Sequence, residues 1–176
     1  MSEEKLQFRK AEKPDTGTIW EILQESIERR RIDGSRQWQD GYPNLSTVEN
    51  DIQNGHNYVL TLNEKIIATA ALIFNDEPTY EVIDGAWLTN GDFLVVHRVG
   101  VSDEVAGKGY ATKFLELMED FAKENQVYSI KIDTNFDNPA MLKILEKLGY
   151  VYCGEIQVRD GARKAFEKVL NNKSRK

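Results

Sequence analysis

Apolar and polar positions along the chain fall into blocks with two different periods. Residues 6–11, LQFRKA, alternate well enough to predict a short first strand. After Pro14 and Asp15, the apolar residues Ile19, Ile22, Leu23 and Ile27 recur at helical spacing. That predicts a helix opening at Pro14, where proline is tolerated in a first turn, and ending near Gly34. The stretch SRQWQDGYPN, 35–44, reads as a loop, and Ser46 or Thr47 can cap a second short helix through about Asn54.

After Gly55, YVLTLN and KIIATAALIF are two β-rich runs separated by Asn63 and Glu64, which predicts a hairpin. Residues 75–91, with Pro78 and Gly85, form a longer polar connection, and Phe93–Val101 supplies another strand. A helix from Gly107 to about Glu124 places Tyr110, Ala111, Phe114, Leu115, Met118, Phe121 and Ala122 on one side. VYSIKID is then a strand, Asn138–Leu148 a helix stopped by Gly149, and YVYCGEI a further strand. The run ARKAFEKVL, 162–170, fits either state. It is assigned to a strand because the chain has nearly ended and the preceding strand needs a partner. Strands outnumber helices, which gives a mixed sheet covered by helices.

The chain has 176 residues, 40% of them hydrophobic, which suits a single domain over 1–176 with its own core. The basic tail NNKSRK reads as a frayed end, so that 170–176 is expected to contribute little. There is no apolar run of about 18 residues, and MSEEKLQFRK lacks the apolar core of a signal peptide, so the expected compartment is the cytoplasm. The lone Cys153 can form no internal disulfide and has no ligand spacing around it, so it reads as a small core residue, and no metal is expected. A net charge of -6 argues against nucleic acid and against anionic membranes as partners, because both require a basic face. It is compatible with a cationic partner or with solubility alone.

Gly107 and Gly109 stand at the mouth of a helix and invite comparison with phosphate-holding loops. A P-loop needs four residues before a Gly-Lys-Ser/Thr triplet, whereas six separate Gly100 from Gly107. A dinucleotide fingerprint needs a third glycine where Thr112 stands. What survives is general: glycines permit a tight turn, and free N–H groups at a helix start can hold a phosphate.

The order of apolar strand, V-S-D-E-V-A-G-K-G-Y-A, amphipathic helix, strand, then N-P-A-M-L-K-I-L-E-K-L-G-Y closely resembles the GNAT-type N-acetyltransferases. The pyrophosphate loop of that superfamily, Gln/Arg-x-x-Gly-x-Gly/Ala, is matched at Gly107 and Gly109, and its asparagine-led helix at Asn138, Gly149 and Tyr150. The resemblance is firm from Phe93 to Ile156 and looser before it. It implies an α+β fold with a central mixed, largely antiparallel sheet of six to seven strands. That sheet would be flanked by about four helices and splayed between its fourth and fifth strands, here 93–101 and 127–133. It also implies transfer of an acetyl group from acetyl-CoA, without a metal, to a primary amine of a small molecule or peptide, by direct attack in a ternary complex. The backbone of Val99, Gly100 and Val101 would pair with the pantetheine arm. The N–H groups of Ala106, Gly107, Lys108, Gly109, Tyr110 and Ala111 would meet the pyrophosphate, and Asn138 would offer its side-chain amide to the arm. Capping the following helix is a compatible role for Asn138.

Two departures from the family pattern bear on chemistry. Glu104 stands where the family prefers Gln or Arg, and Ala106 replaces a common arginine, so phosphate binding would rest on backbone dipoles and Lys108. Leu145 occupies the place of the family's acid-catalytic tyrosine. Tyr150 and Tyr152 lie nearby, but Tyr150 fills the place of an aromatic core residue, and the general acid stays unassigned. His97 is the candidate general base: an amine must lose a proton before it attacks a thioester, and arylalkylamine N-acetyltransferases carry a histidine at the corresponding strand position. His56, in a Gly-His-Asn turn, reads as surface. Trp38, Tyr42, Trp87, Asp40, Glu77, Glu81 and Asp84 populate the segments that form the acceptor pocket in this architecture, and would suit a cationic amine. A second reading is a catalytically silent acyl-CoA sensor or interaction module on the same fold. Oligomeric state is open, a homodimer included.

Overall fold

The periodic segments of the sequence become β1 (Leu6–Lys10), α1 (Thr16–Ile32), α2 (Leu45–Gln53), β2 (Asn57–Leu62), β3 (Lys65–Phe74) and β4 (Asp84–Gly85). They continue as β5 (Leu94–Val101), α3 (Tyr110–Glu124), β6 (Ser129–Thr134), α4 (Pro139–Lys147), β7 (Val151–Val158) and β8 (Gly161–Val169). The computed structural model of the protein describes residues 3–171, so most of the basic tail lies outside the described residues. Leu170 is buried, and its N–H donates to the Tyr128 carbonyl. The strands form one mostly antiparallel sheet in the order β1-β2-β3-β5-β6-β8-β7-β4. Two compact units divide the elements: the chain up to Leu72 with His97–Phe114, and Ile73–Val96 with the chain from Leu115 onward.

In the first unit, β1 and β2 pair antiparallel from Leu6↔Leu62 to Lys10↔Tyr58, and β2 turns into β3 through Asn63 and Glu64. Both turn residues have positive φ, 51° and 71°, the geometry that matches the twist of a tight hairpin. The apolar stripe of α1 packs Ile19, Ile22 and Leu23 with Val48 of α2 against Val59 and Ile66. Each such side chain contributes roughly 1.5–3 kcal/mol by leaving water. The cap of α2 is Asn44 rather than Ser46 or Thr47. Its side chain accepts from the Thr47 N–H at 3.1 Å, and the Thr47 hydroxyl accepts from the Asn44 N–H at 3.1 Å, so each satisfies a group of the other.

In the second unit, β8 lies between β6 and β7, which provides the partner that the last strand was expected to supply. An eighth strand, β4, exceeds the six or seven expected and arises inside the connection read as irregular. Gly85 faces Gly154, both at φ 139°, and a Cβ on Gly85 would stand 2.1 Å from the Cys153 carbonyl oxygen. Only paired glycines allow the two backbones that close. The same connection buries Tyr80 and packs Trp87 and Phe93 over Val95, Ile156 and Ala165. The Tyr80 hydroxyl donates to Asp133, and the Trp87 indole N–H donates to the Tyr80 carbonyl at 2.8 Å. Lys131 is nearly buried here, its ammonium 4.6 Å from the Trp87 ring and 4.2 Å from that of Phe93, and burial pushes its pKa down.

Among the described residues, no helix is long and apolar enough to cross a membrane.

Candidate functional site

Strand β5 runs parallel to β6 only from Leu94↔Ile130 to Val96↔Ile132, and then continues five residues further to Val101. His97 is the first residue past that ladder and is half-buried. Arg98, next to it, adopts a left-handed backbone with φ 53°, and Val99 is half-buried. Gly100 is buried against α1, where any Cβ would stand 3.0 Å from Leu23 Cδ2 and 3.1 Å from Ser26 Oγ. The Ser102 N–H donates to the Ile67 carbonyl of β3 at 2.8 Å. The other side of that peptide, the Val101 carbonyl, accepts from Arg29 Nη2 at 2.6 Å. A carbonyl oxygen has two lone pairs, so one acceptor position remains there.

Beyond β5 the chain tightens into a 3-10 turn, Asp103–Val105, whose first residue is preceded by Ser102. The Ser102 hydroxyl accepts from the Glu104 N–H at 3.3 Å, and the Lys108 N–H reaches the Val105 carbonyl at 3.2 Å. Gly107 and Gly109 then take φ of 78° and 89°, flanking Lys108. This is why α3 begins at Tyr110 and not at Gly107: residues with positive φ cannot belong to a right-handed helix. The Lys113 N–H is the first to find a helical acceptor, the Gly109 carbonyl at 3.1 Å. The N–H groups of Tyr110, Ala111 and Thr112 therefore have no partner within the helix.

A positive-φ turn at a helix start can direct free N–H groups toward an anion, and the helix dipole adds to it; here the N–H groups of Ala106 and Lys108 already donate, to the Asp103 and Val105 carbonyls. Ala106, Gly107, Lys108 and Gly109 are all exposed, and nothing lies within 4 Å of where a Cβ would stand on either glycine. The first turn of α3 carries no acidic residue. Glu104, the one acidic departure in the loop pattern, holds Lys65 Nζ at 2.5 Å. Both partners are exposed, so the pair adds little stability. It does place a cation against the Glu104 carboxylate. Arg29 supplies a further cation, bound to Asp103.

The remaining predicted residues are found as follows. Asn138 lies in the other unit and caps α4, its side chain accepting from the Met141 N–H at 3.3 Å. Leu145 is fully buried. Tyr150 is buried too, and its hydroxyl has no hydrogen-bond partner among the described residues. Burial drives the pKa of Tyr150 far upward, so its hydroxyl keeps its proton. Tyr152 is half-exposed, edge-on to Phe166. Cys153 is buried, as its sequence context suggested. His56 is half-buried rather than on the surface, with its N–H on the Asp51 carbonyl and its own carbonyl accepting from Leu72.

The aromatic and acidic candidates for an acceptor pocket are divided between the two units. Trp38 and Tyr42 belong to the first unit with Asp40, and Trp87 belongs to the second with Glu77, Glu81 and Asp84. Several already have structural partners: the Tyr42 hydroxyl accepts from Arg98, Glu77 accepts from Thr79, and the Trp87 ring carries Lys131. Among the described residues, no group of three or more His, Cys, Asp or Glu could hold a metal ion.

Sequence reasoning did not single out the charged residues that the fold buries, among them Asp51, Lys131, Arg163 and Glu167, nor Arg98, which is half-buried and pairs with Asp51. A charge within the otherwise largely apolar LVVHRVGV is the signal that could have found Arg98.

Comparison with known proteins gives a consistent result. The model of the acetyltransferase (GNAT) family matches residues 18–150. The uncharacterized N-acetyltransferase YesJ of Bacillus subtilis (strain 168) is 25% identical over 145 residues, which is 80% of this chain and 78% of that protein. A GNAT-family acetyltransferase from Streptococcus agalactiae 2603 is 33% identical, with a TM-score of 0.88 over 94% of this chain and 96% of that one. Another from Listeria monocytogenes 4b F2365, at 16% identity and a TM-score of 0.72 over 94% and 95% of the two chains, shares the fold.

Proposed function

The chain belongs to the GNAT acetyltransferase family, and from that premise we propose that it transfers an acetyl group from acetyl-CoA to a primary amine of a small molecule or peptide. The observation that carries this reading is the open turn at 106–111, with Gly107 and Gly109 at positive φ and the α3 N-terminus behind them. It fits a pyrophosphate. The amides lie on an exposed surface, no carboxylate occupies the first turn of α3, and Glu104 is engaged by Lys65. Backbone donors and a helix dipole are sufficient for such an anion without an arginine. The main chain of Val99, Gly100 and Val101 then has the role of pairing with the pantetheine arm, and Asn138 that of offering it an amide beside its cap bond.

Acetyl-CoA supplies a thioester carbonyl, which reacts only with a neutral amine. His97 takes the proton from the incoming ammonium, and a β5 N–H polarises the carbonyl oxygen. The new N–C bond forms as the C–S bond breaks, and the departing sulfur takes a proton from a donor that is not assigned. Leu145 cannot serve, and Tyr150 is sealed in the core. A screen of amines and peptides, read by release of free thiol, tests the reaction. With a substrate found, His97→Ala is expected to lower kcat/KM by about 10²–10³-fold while CoA affinity stays within about twofold. An unchanged kcat/KM would remove His97 from the mechanism.

Leu145 in place of the usual tyrosine supports the alternative, a silent acyl-CoA sensor. CoA binding without turnover on any amine would favour that alternative.

A further inference from the structure

Arg98 is a charged residue in the middle of an apolar strand, with a backbone conformation that residues other than glycine seldom adopt, φ 53°. Its guanidinium shows what holds it there. Nε donates to Asp51 Oδ2 at 2.8 Å and Nη2 to Asp51 Oδ1 at 2.7 Å, a fork-to-fork pair. Nη1 donates to the Tyr42 hydroxyl at 2.6 Å. The Arg98 and Asp51 side chains are only 14% and 11% exposed, so the pair is shielded from solvent and cannot be swapped for water without cost. Burial opposes the charge on Arg98, but Asp51 and Tyr42 outweigh it and raise its pKa above the ordinary value.

The position of this pair matters more than its strength. The parallel register with β6 ends at Val96, two residues before Arg98, and the residues assigned to the acyl-CoA arm begin immediately after it. A left-handed residue inside a strand breaks the alternation of side chains, bends the strand and ends its pairing. Asp51 stands in the last turn of α2, and Tyr42 in the segment between α1 and α2. Two elements distant in sequence thus clamp the one residue whose torsion orients His97 on one side and Val99 on the other.

We propose that Asp51 and Tyr42 act through Arg98 as positioning residues: by fixing its left-handed backbone they set β5 in the shape that receives acyl-CoA. This rests on the acetyl-transfer reading and deepens it. A purely structural pair would lower the melting temperature and leave the affinity of the folded molecules alone. A positioning pair changes the affinity itself.

The test is calorimetric titration of the full chain with CoA at a temperature where every variant is folded by circular dichroism. Asp51→Asn keeps the shape and removes the charge, and is expected to weaken CoA binding by about 10-fold or more, the scale of loss from small misplacements of a binding group. Asp51→Glu, which restores the charge on a longer arm, should recover part of that loss. Tyr42→Phe keeps the ion pair and carries the test if Asp51→Asn fails to fold. It should weaken CoA by about threefold in protein that stays folded at the temperature of the titration, a loss within the range of a hydrogen bond. Wild-type protein that bound CoA while Tyr42→Phe and any folded Asp51 variant bound it equally well would overturn this inference alone. Wild-type protein that bound no CoA would overturn the acetyl-transfer reading and this inference with it.

Discussion

Glu167→Ala is expected to lower stability by about 4 kcal/mol, a large share of the roughly 5–15 kcal/mol by which a domain is usually stable. Glu167 is fully buried in β8. Its carboxylate accepts from the Leu88 N–H at 2.7 Å, the Thr89 N–H at 3.3 Å and the Ser129 hydroxyl at 2.7 Å, and also from the Thr89 hydroxyl. Hydrogen bonds to a charged group are worth about 1.5–3 kcal/mol each, and alanine would leave the buried Ser129 hydroxyl and the donors of Leu88 and Thr89 without this acceptor. Because Leu88 and Thr89 belong to the irregular segment before β5, the loss should release that segment. At about 2–4 °C per kcal/mol for a chain of this size, the melting temperature should fall by about 10 °C. Urea unfolding checks the free energy directly. A change under about 1 kcal/mol would mean that water or another residue satisfies those donors.

The second large effect falls on binding, with little change in stability. Gly109→Val puts a β-branched residue at φ 89°, which costs of order 1–3 kcal/mol if the conformation is kept. Since nothing lies within 4 Å of the new Cβ, no clash with a neighbour is involved, and the chain can escape the strain by turning the peptide. Escape disperses the N–H groups that face the anion. Losing two hydrogen bonds to a charged group corresponds to about 10²-fold or more in CoA affinity, with the fold intact by circular dichroism. Affinity within threefold of wild type would show that the amides around Gly109 do not face the phosphates.

Much of this architecture was legible in the sequence, because long periodic segments leave few choices. The stripe Ile19, Ile22, Leu23 could only be the buried face of a helix, and β8 was recovered from the need of a preceding strand for a partner. The failures were local and have physical causes. β4 is two residues long, too short for any period to show, and exists because two glycines meet backbone to backbone. The cap of α2 moved from Ser46 or Thr47 to Asn44, since Asn44 and Thr47 satisfy each other's groups. The start of α3 moved three residues because the glycines that make the turn cannot also be helical.

At the candidate site, the Gly-x-Gly turn was readable from residue type alone. The charged side chains that pair beside it were not. Glu104 reads as a liability until Lys65, 39 residues away, is seen beside it. Nothing in the second short helix marks Asp51 until Arg98, 47 residues away, reaches it. Charge pairs of this kind follow from tertiary contact, and no window along the chain encodes them.

The central claim is that main-chain amides within 106–111, at the turn that opens α3, hold the pyrophosphate of acetyl-CoA. Its most direct test is a set of calorimetric titrations of the wild-type chain with CoA, with 4′-phosphopantetheine, which lacks the adenosine and keeps one phosphate of the pyrophosphate, and with pantetheine, which shares the arm and lacks both. The account predicts a CoA dissociation constant on the order of 10 µM, within the usual range for enzyme substrates. It also predicts pantetheine binding weaker than CoA by about 10²-fold, the value of two charge-assisted hydrogen bonds, with phosphopantetheine between the two. No heat with CoA, or equal affinity for phosphopantetheine and pantetheine, would contradict it.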